Sequence, residues 1–314
     1  MNNDMKELIV NGMDREPEVP EFIIEHDDED LETPKTPEEK PSFFRRHKWL
    51  RRLLKAFAVV LLAALTLGAY KAWNYYYNIG VPISTKPDEN IRKLQTPPKK
   101  EPANVVHKTD SILGVELDLY EIHGLRASIE FEEPKLNDNS VYLYCRSADH
   151  NTDSSYIGSL VVNGEEKQSD CSRLGYMAMV DDRMVIGISR FEDVKDYVMK
   201  NGGSFFRQFI LVSNGVTPTH FFLKGKEKRK AIGLLRLADK EWLYLISTRN
   251  KETLWDFADA LREYGFTDAI YITGGPDYCY YRDIKGRRHD IGDIKDYPHE
   301  KWKGIIPWLV LRKI

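Results

Sequence analysis

Residues 252–275 read ETLWDFADALREYGFTDAIYITGG. Leu254, Phe257, Ala258 and Leu261 fall at i, i+3, i+4 and i+7 and give one apolar stripe, the mark of a helix packed on a core. Thr253 or Asn250 is placed to cap its start, and Gly265 sits where a left-handed C-cap residue belongs. A strand, DAIYI, follows at once and runs into the paired glycines Gly274 and Gly275. One helix, one tight turn and one strand therefore occupy 24 residues, and the fold contains both element types.

Outward from this unit, strands dominate. Ala231–Leu237 and Trp242–Ser247 flank an Ala-Asp-Lys-Glu turn and predict a hairpin. Leu174–Val180 and Met184–Ser189 flank Asp181-Asp182 and predict another. Val115, Leu117 and Leu119 alternate. Val141–Cys145, Tyr156–Val162, Phe205–Val212, the strand pair in YCYYRDIKGRRHDIG and Trp308–Leu311 complete about ten strands. A second, shorter helix is expected over Phe191–Lys200. Strands mostly follow strands, so residues 110–314 are expected to form one α+β domain.

The first third of the chain is different. Residues 1–44 hold 14 acidic and 4 basic side chains, net −10, and residues 45–55 hold six basic side chains and no acid. Since the whole chain carries 46 Lys+Arg against 49 Asp+Glu, residues 56–314 are left at −3 + 10 − 6 = +1. The acidic stretch is too charged and too poor in apolar residues to fold alone. Ala56–Tyr70 then runs for 15 residues without a charge. Lys55 and Lys71 can snorkel at its ends, with Trp49 on one side and Trp73, Tyr75, Tyr76 and Tyr77 on the other. A transmembrane helix is expected at about 54–75. A signal peptide would have to begin after a 44-residue acidic tail, and a buried soluble helix leaves RRHKWLRRLLK unexplained. The basic side faces the cytoplasm by the positive-inside rule. The N-terminus is thus expected in the cytoplasm, where the acidic tail can dock a protein partner, and the C-terminal domain on the exported side of the inner membrane. Residues 78–109, rich in Pro and Lys, are expected to be an extended tether.

This organisation excludes a plain soluble enzyme, a multi-span transporter and a strongly basic nucleic-acid binder. Three cysteines are too few for a disulfide-stapled module. Cys145 and Cys171 are the pair to test for a bridge, with free thiols the simpler state. The chain has no CxxC, HExxH, Walker or GxSxG motif, and nothing in it requires a metal or cofactor.

Four features in order carry a resemblance: Asn201-Gly202-Gly203 followed by Phe205-Phe206, a Ser213-Asn214-Gly215 turn, Arg229-Lys230-Ala231-Ile232-Gly233, and DFADAL…GFTDAIYITGG. Together they resemble the phosphodiester glycosidase family, which contains the enzyme that removes N-acetylglucosamine from mannose-phosphate diesters. The chain looks most like a membrane-anchored variety found in Bacteroides-type envelopes. The resemblance implies a sugar-1-phosphodiester or related envelope glycan as ligand, held by Arg229 and by the segments Asn201, Gly202, Gly203, Thr273, Gly274 and Gly275. Where the family's strand ends in an acidic residue before the glycines, this chain has Thr273. Glycosyl-phosphate hydrolysis needs a carboxylate to protonate the leaving group or activate water. Asp277, just past the turn, and Asp268, at the far end of the strand, are the acids at hand, and Asp277 is the better placed. Tyr278, Tyr280, Tyr281 and Trp308 are candidates for stacking on a sugar, with strand packing the simpler role. Two functions follow: a hydrolase that has relocated its acid to Asp277, or a catalytically inactive glycan-binding or scaffold protein.

Overall fold

In a computed structural model the described residues are 48–77, 79–81, 88–97, 101–149, 155–238, 240–274, 278–296 and 304–314. The acidic tail, residues 45–47, and Gly275, Pro276 and Asp277 lie outside them.

Helix α1 spans Lys48–Tyr77, and its apolar stretch, Trp49–Trp73, is 25 residues long with none of it buried. At 1.5 Å per residue the helix is about 45 Å long, enough to cross a hydrocarbon core of about 30 Å.

The tether expected over 78–109 is corrected in two places. Helix α2 occupies Asp88–Gln95. Ile91 and Leu94 share one face, and Leu94 is completely buried beside Val161 and Tyr176, while Asn90 donates to the Tyr176 hydroxyl at 2.6 Å. Two apolar residues among six polar ones are too few to stand out in sequence, yet they suffice to dock one helical turn. Strand β1 covers Asn104–Ile112, so the domain begins well before residue 110. Most of β1 is exposed, which hides any alternation, and the strand is defined by pairing with β2 (Val115–His123) along its whole length.

Three antiparallel sheets build the domain, and the described residues contain sixteen strands rather than ten. The first sheet runs β1, β2, β12 (Lys240–Thr248), β11 (Lys230–Leu237), β13 (Phe266–Ile272) and β10 (Ile210–Val212). The second runs β15 (Arg288–Ile291), β14 (Cys279–Arg282), β4 (Val141–Arg146), β16 (Trp308–Lys313) and β3 (Leu125–Glu130). The third runs β6 (Glu165–Gln168), β5 (Leu160–Val162), β9 (Ser204–Gln208), β7 (Gly175–Val180) and β8 (Arg183–Ile188). Both expected hairpins are present, as β7–β8 and β11–β12. The strand expected over Phe205–Val212 is two: β9 belongs to the third sheet and β10 to the first, with the break at Phe209.

Inward faces of all three sheets share one core, in which Ile122, Ile232 and Ile270 meet Leu143 and Leu309, and Met177 and Phe206. Helix α4 (Leu254–Tyr264) covers the outer face of the first sheet through Leu254, Phe257, Ala258 and Leu261, the stripe read from sequence. Thr253 caps it, accepting the Asp256 N–H, and Gly265 closes it at φ 110°. Helices α2 and α3 (Asp193–Lys200) cover the third sheet. The outer face of the second sheet is covered by aromatics: Tyr144, Tyr278, Tyr280 and Trp308 are all buried. Three of the four residues expected to stack on a sugar are thus packing residues, and the fourth, Tyr281, lies against the His289 ring at 4.8 Å. No disulfide joins Cys145 to Cys171, since the first is buried in the core and the second is exposed.

Candidate functional site

The sequence-expected site residues fall into two neighbourhoods. Asn201–Gly203 end helix α3. The Asn201 side chain donates back to the Tyr197 carbonyl at 2.7 Å, and the Gly203 N–H to the Val198 carbonyl at 2.9 Å. A Cβ at Gly203 would collide with the Met179 carbonyl oxygen, so close passage of β7 requires this glycine. These contacts describe a helix C-terminus turning into β9.

Gly274 lies in a different setting, at the end of β13. Its N–H reaches the Tyr271 hydroxyl at 3.4 Å, and a Cβ there would collide with the Lys228 carbonyl oxygen. The neighbours of Gly203 and those of Gly274 have no residue in common. Thr273 is buried, its N–H points to the Ser147 carbonyl at 3.4 Å, and its hydroxyl has no hydrogen-bond partner among the described residues. Asp268 sits at the opposite end of β13, beside Arg236 at 3.4 Å and the Asn214 N–H at 3.2 Å. Burial raises its carboxyl above the usual value, against those two partners.

Arg229 adjoins Gly274, but its side chain is turned to the protein's own backbone. It is 4% exposed; Nε donates to the Glu252 carbonyl at 3.0 Å and Nη2 to the Gly225 carbonyl. Its main chain exchanges hydrogen bonds with Thr248, and its guanidinium lies 5.8 Å from the Tyr271 ring. The residue fastens the 222–228 loop to the entry of α4, where Glu227 and Glu252 also pair through their backbones. It is a positioning residue in this arrangement.

Phe222, at the start of that loop, borders a shallow open groove. Four separate segments meet there: Ile79, the Arg173–Gly175 entry to β7, the Phe209–Ile210 crossover between sheets, and Pro218–Phe222. Arg173 supplies its fixed charge. The guanidinium stacks over the Phe209 ring at 4.2 Å, Nη1 makes a long contact with the Ser172 carbonyl at 3.3 Å, and Nε has no hydrogen-bond partner among the described residues. Burial lowers Arg173 from the ordinary guanidinium value, opposed by the nearby Asp170 charge. Burial also pushes Asp170 up, but hydrogen bonds from Ser172 and Gly158 outweigh this and hold it below the usual carboxylate value. No carboxylate forms an ion pair with Arg173 among the described residues, and no Asp or Glu lines the groove.

The groove touches the β13 end through Phe209 and Tyr271. The Phe209 carbonyl accepts the Tyr271 N–H at 2.8 Å, the two rings meet edge-on at 6.4 Å, and the Arg229 guanidinium lies 5.8 Å from the Tyr271 ring. Arg173, Phe209 and His220 were not singled out from sequence, because they come from segments far apart along the chain. The one local signal was Phe221-Phe222-Leu223 placed directly before the basic run KGKEKRK.

No family model matches the chain, and no curated protein does. Among solved structures, the zebrafish N-acetylglucosamine-1-phosphodiester alpha-N-acetylglucosaminidase catalytic domain, auto-inhibited by its pro-peptide, is similar at 14% identity with a TM-score of 0.45, over 71% of this chain and 86% of that one. A hypothetical protein from Synechocystis is similar at 10% identity with a TM-score of 0.43, over 66% of this chain and 62% of that one.

Proposed function

We propose that this chain is a membrane-anchored binding protein for glycosyl phosphates, with the N-terminus in the cytoplasm and the β-rich domain exported. The basic segment on the N-terminal side of α1 supports the orientation, and the acidic tail is left to engage a cytoplasmic protein. The order of the four motifs supports the ligand class. The observation that carries the reading is Arg173: a guanidinium stacked on Phe209 in a groove that no carboxylate lines among the described residues. An open groove with aromatic walls and one cation offers a face for a sugar to stack on and a partner for its phosphate. Recognition is favoured over hydrolysis because the strand end carries Thr273 in place of an acid and the described residues lining the groove include none.

The test is calorimetric titration of full-length protein in detergent with methyl N-acetylglucosaminyl phosphate. Arg173→Ala should weaken binding by roughly 10- to 100-fold, the worth of one charge-assisted hydrogen bond. Equal binding by the variant, or no binding by the wild type, sinks the proposal. Release of free sugar that Asp277→Ala abolishes would replace it with a hydrolase.

A further inference from the structure

We infer that the glycosyl phosphate is lipid-linked and reaches the groove from the bilayer surface; this rests on the ligand class proposed above. The apolar stretch of α1 ends at Trp73, the helix ends at Tyr77, and Ile79 is already part of the groove wall. Four helical steps and two further residues reach at most roughly 13 Å, about twice the depth of a headgroup layer. Ile79 is fixed there, since its carbonyl accepts the Thr219 N–H at 2.8 Å and Thr219 adjoins the groove residues Pro218 and His220. The chain therefore does not permit the groove to stand far from the membrane.

The groove rim has the composition such a position demands. Val216, Phe222 and Leu223 are 41%, 40% and 41% exposed, on the segment that forms the wall and its continuation. Lys224, Lys226 and Lys228 follow, all exposed. Lys226 approaches Glu252 at 4.0 Å, whereas Lys224 and Lys228 form no ion pair among the described residues. Apolar side chains at the edge of the hydrocarbon and lysines at headgroup level are the pattern of a surface that meets lipid. A water-soluble sugar phosphate has no use for either. A ligand whose phosphate joins a sugar to a hydrocarbon chain uses all three: Arg173 for the phosphate, the aromatic walls for the sugar, and the apolar rim for the first part of the chain.

The experiment uses the full-length protein in phosphatidylcholine nanodiscs with three ligands: methyl N-acetylglucosaminyl phosphate, farnesyl N-acetylglucosaminyl phosphate and farnesyl phosphate. The farnesyl glycosyl phosphate should bind at least about tenfold more tightly than the methyl compound. In Val216→Ser/Leu223→Ser that advantage should largely vanish while binding of the methyl compound is unchanged, which also reports that the variant is folded. Partition of the farnesyl chain into the disc is the same for both proteins, so a preference that survives in the variant overturns the inference. Equal binding of the two glycosyl phosphates by the wild type overturns it as well and leaves the ligand class standing. Equal binding of farnesyl phosphate would make the ligand a lipid phosphate without a sugar. Failure of every ligand removes the proposed function together with this extension.

Discussion

Arg229 and Arg173 are both cations near the groove, and the structure gives them different work. Replacing Arg229 by Ala removes two hydrogen bonds from a charged donor to main-chain carbonyls, those of Glu252 and Gly225. Such bonds contribute about 1.5–3 kcal/mol each. Gly225 is exposed, so its carbonyl returns to water and most of the cost comes from Glu252 and from the lost packing on Tyr271. The expected loss is about 2–3 kcal/mol, or a fall in Tm of about 5–10 °C for a domain of this size. Amide exchange should accelerate at 222–228 and at the start of α4, and Arg229→Lys should not rescue it, because a lysine cannot reach both carbonyls in the geometry of the planar fork. Arg173→Ala loses a cation–π contact and one long hydrogen bond, about 1 kcal/mol, and leaves those amides protected. Thermal unfolding and hydrogen exchange on the two variants, beside the glycosyl-phosphate titration, separate the roles. Abolished binding in Arg229→Ala with unchanged Tm and exchange would make Arg229 a direct ligand and refute this division.

Leu94→Ala should destabilise the domain by about 2–4 kcal/mol, the usual range for a fully buried leucine, and a denaturant titration that finds no change would return residues 88–95 to the status of a tether. Asp138 is held down to about 2 from 3.8, first by the Ser140 hydroxyl and then by Arg312. A carboxyl lowered in the folded state stabilises above its ordinary pKa and loses that contribution as pH falls toward about 2. The side chain is a third exposed, so the contribution is about 1 kcal/mol after solvent screening, and Asp138→Asn should flatten the acid limb of the stability curve. Cys171 should react with a thiol reagent in the native protein without reduction, whereas Cys145 is buried and burial pushes its thiol up, so its modification should wait for unfolding.

Local pattern was enough for much of the fold. The stripe of α4, its caps and both hairpins follow from spacing and turn residues alone, because each is stabilised by contacts within a few residues or across one turn. The misses have a common cause. Strand β1 has an exposed face and is defined by its nine partners in β2, which no window of sequence contains. Helix α2 depends on Leu94 reaching residues near 161 and 176. The break between β9 and β10 is set by the sheet each half joins, while Phe205–Val212 reads as one apolar run. The site follows the same rule. Gly202, Gly203 and Gly274 are where the helix and strand ends were expected, but the groove is assembled from residues 79, 173, 209 and 220, and no spacing along the chain links them.

The position of Arg229 gives its segment a structural duty that does not depend on what the groove binds. The guanidinium, the Gly274 backbone and Tyr271 lock the β11 and β13 ends to the 222–228 loop, so their replacement is opposed by stability whatever the groove binds. Thr273 carries no such duty: its hydroxyl has no partner among the described residues, and an acid at that place is not needed to hold the fold. The identity of the side chain at 273 is therefore less constrained by the fold than that of the arginine or the glycine.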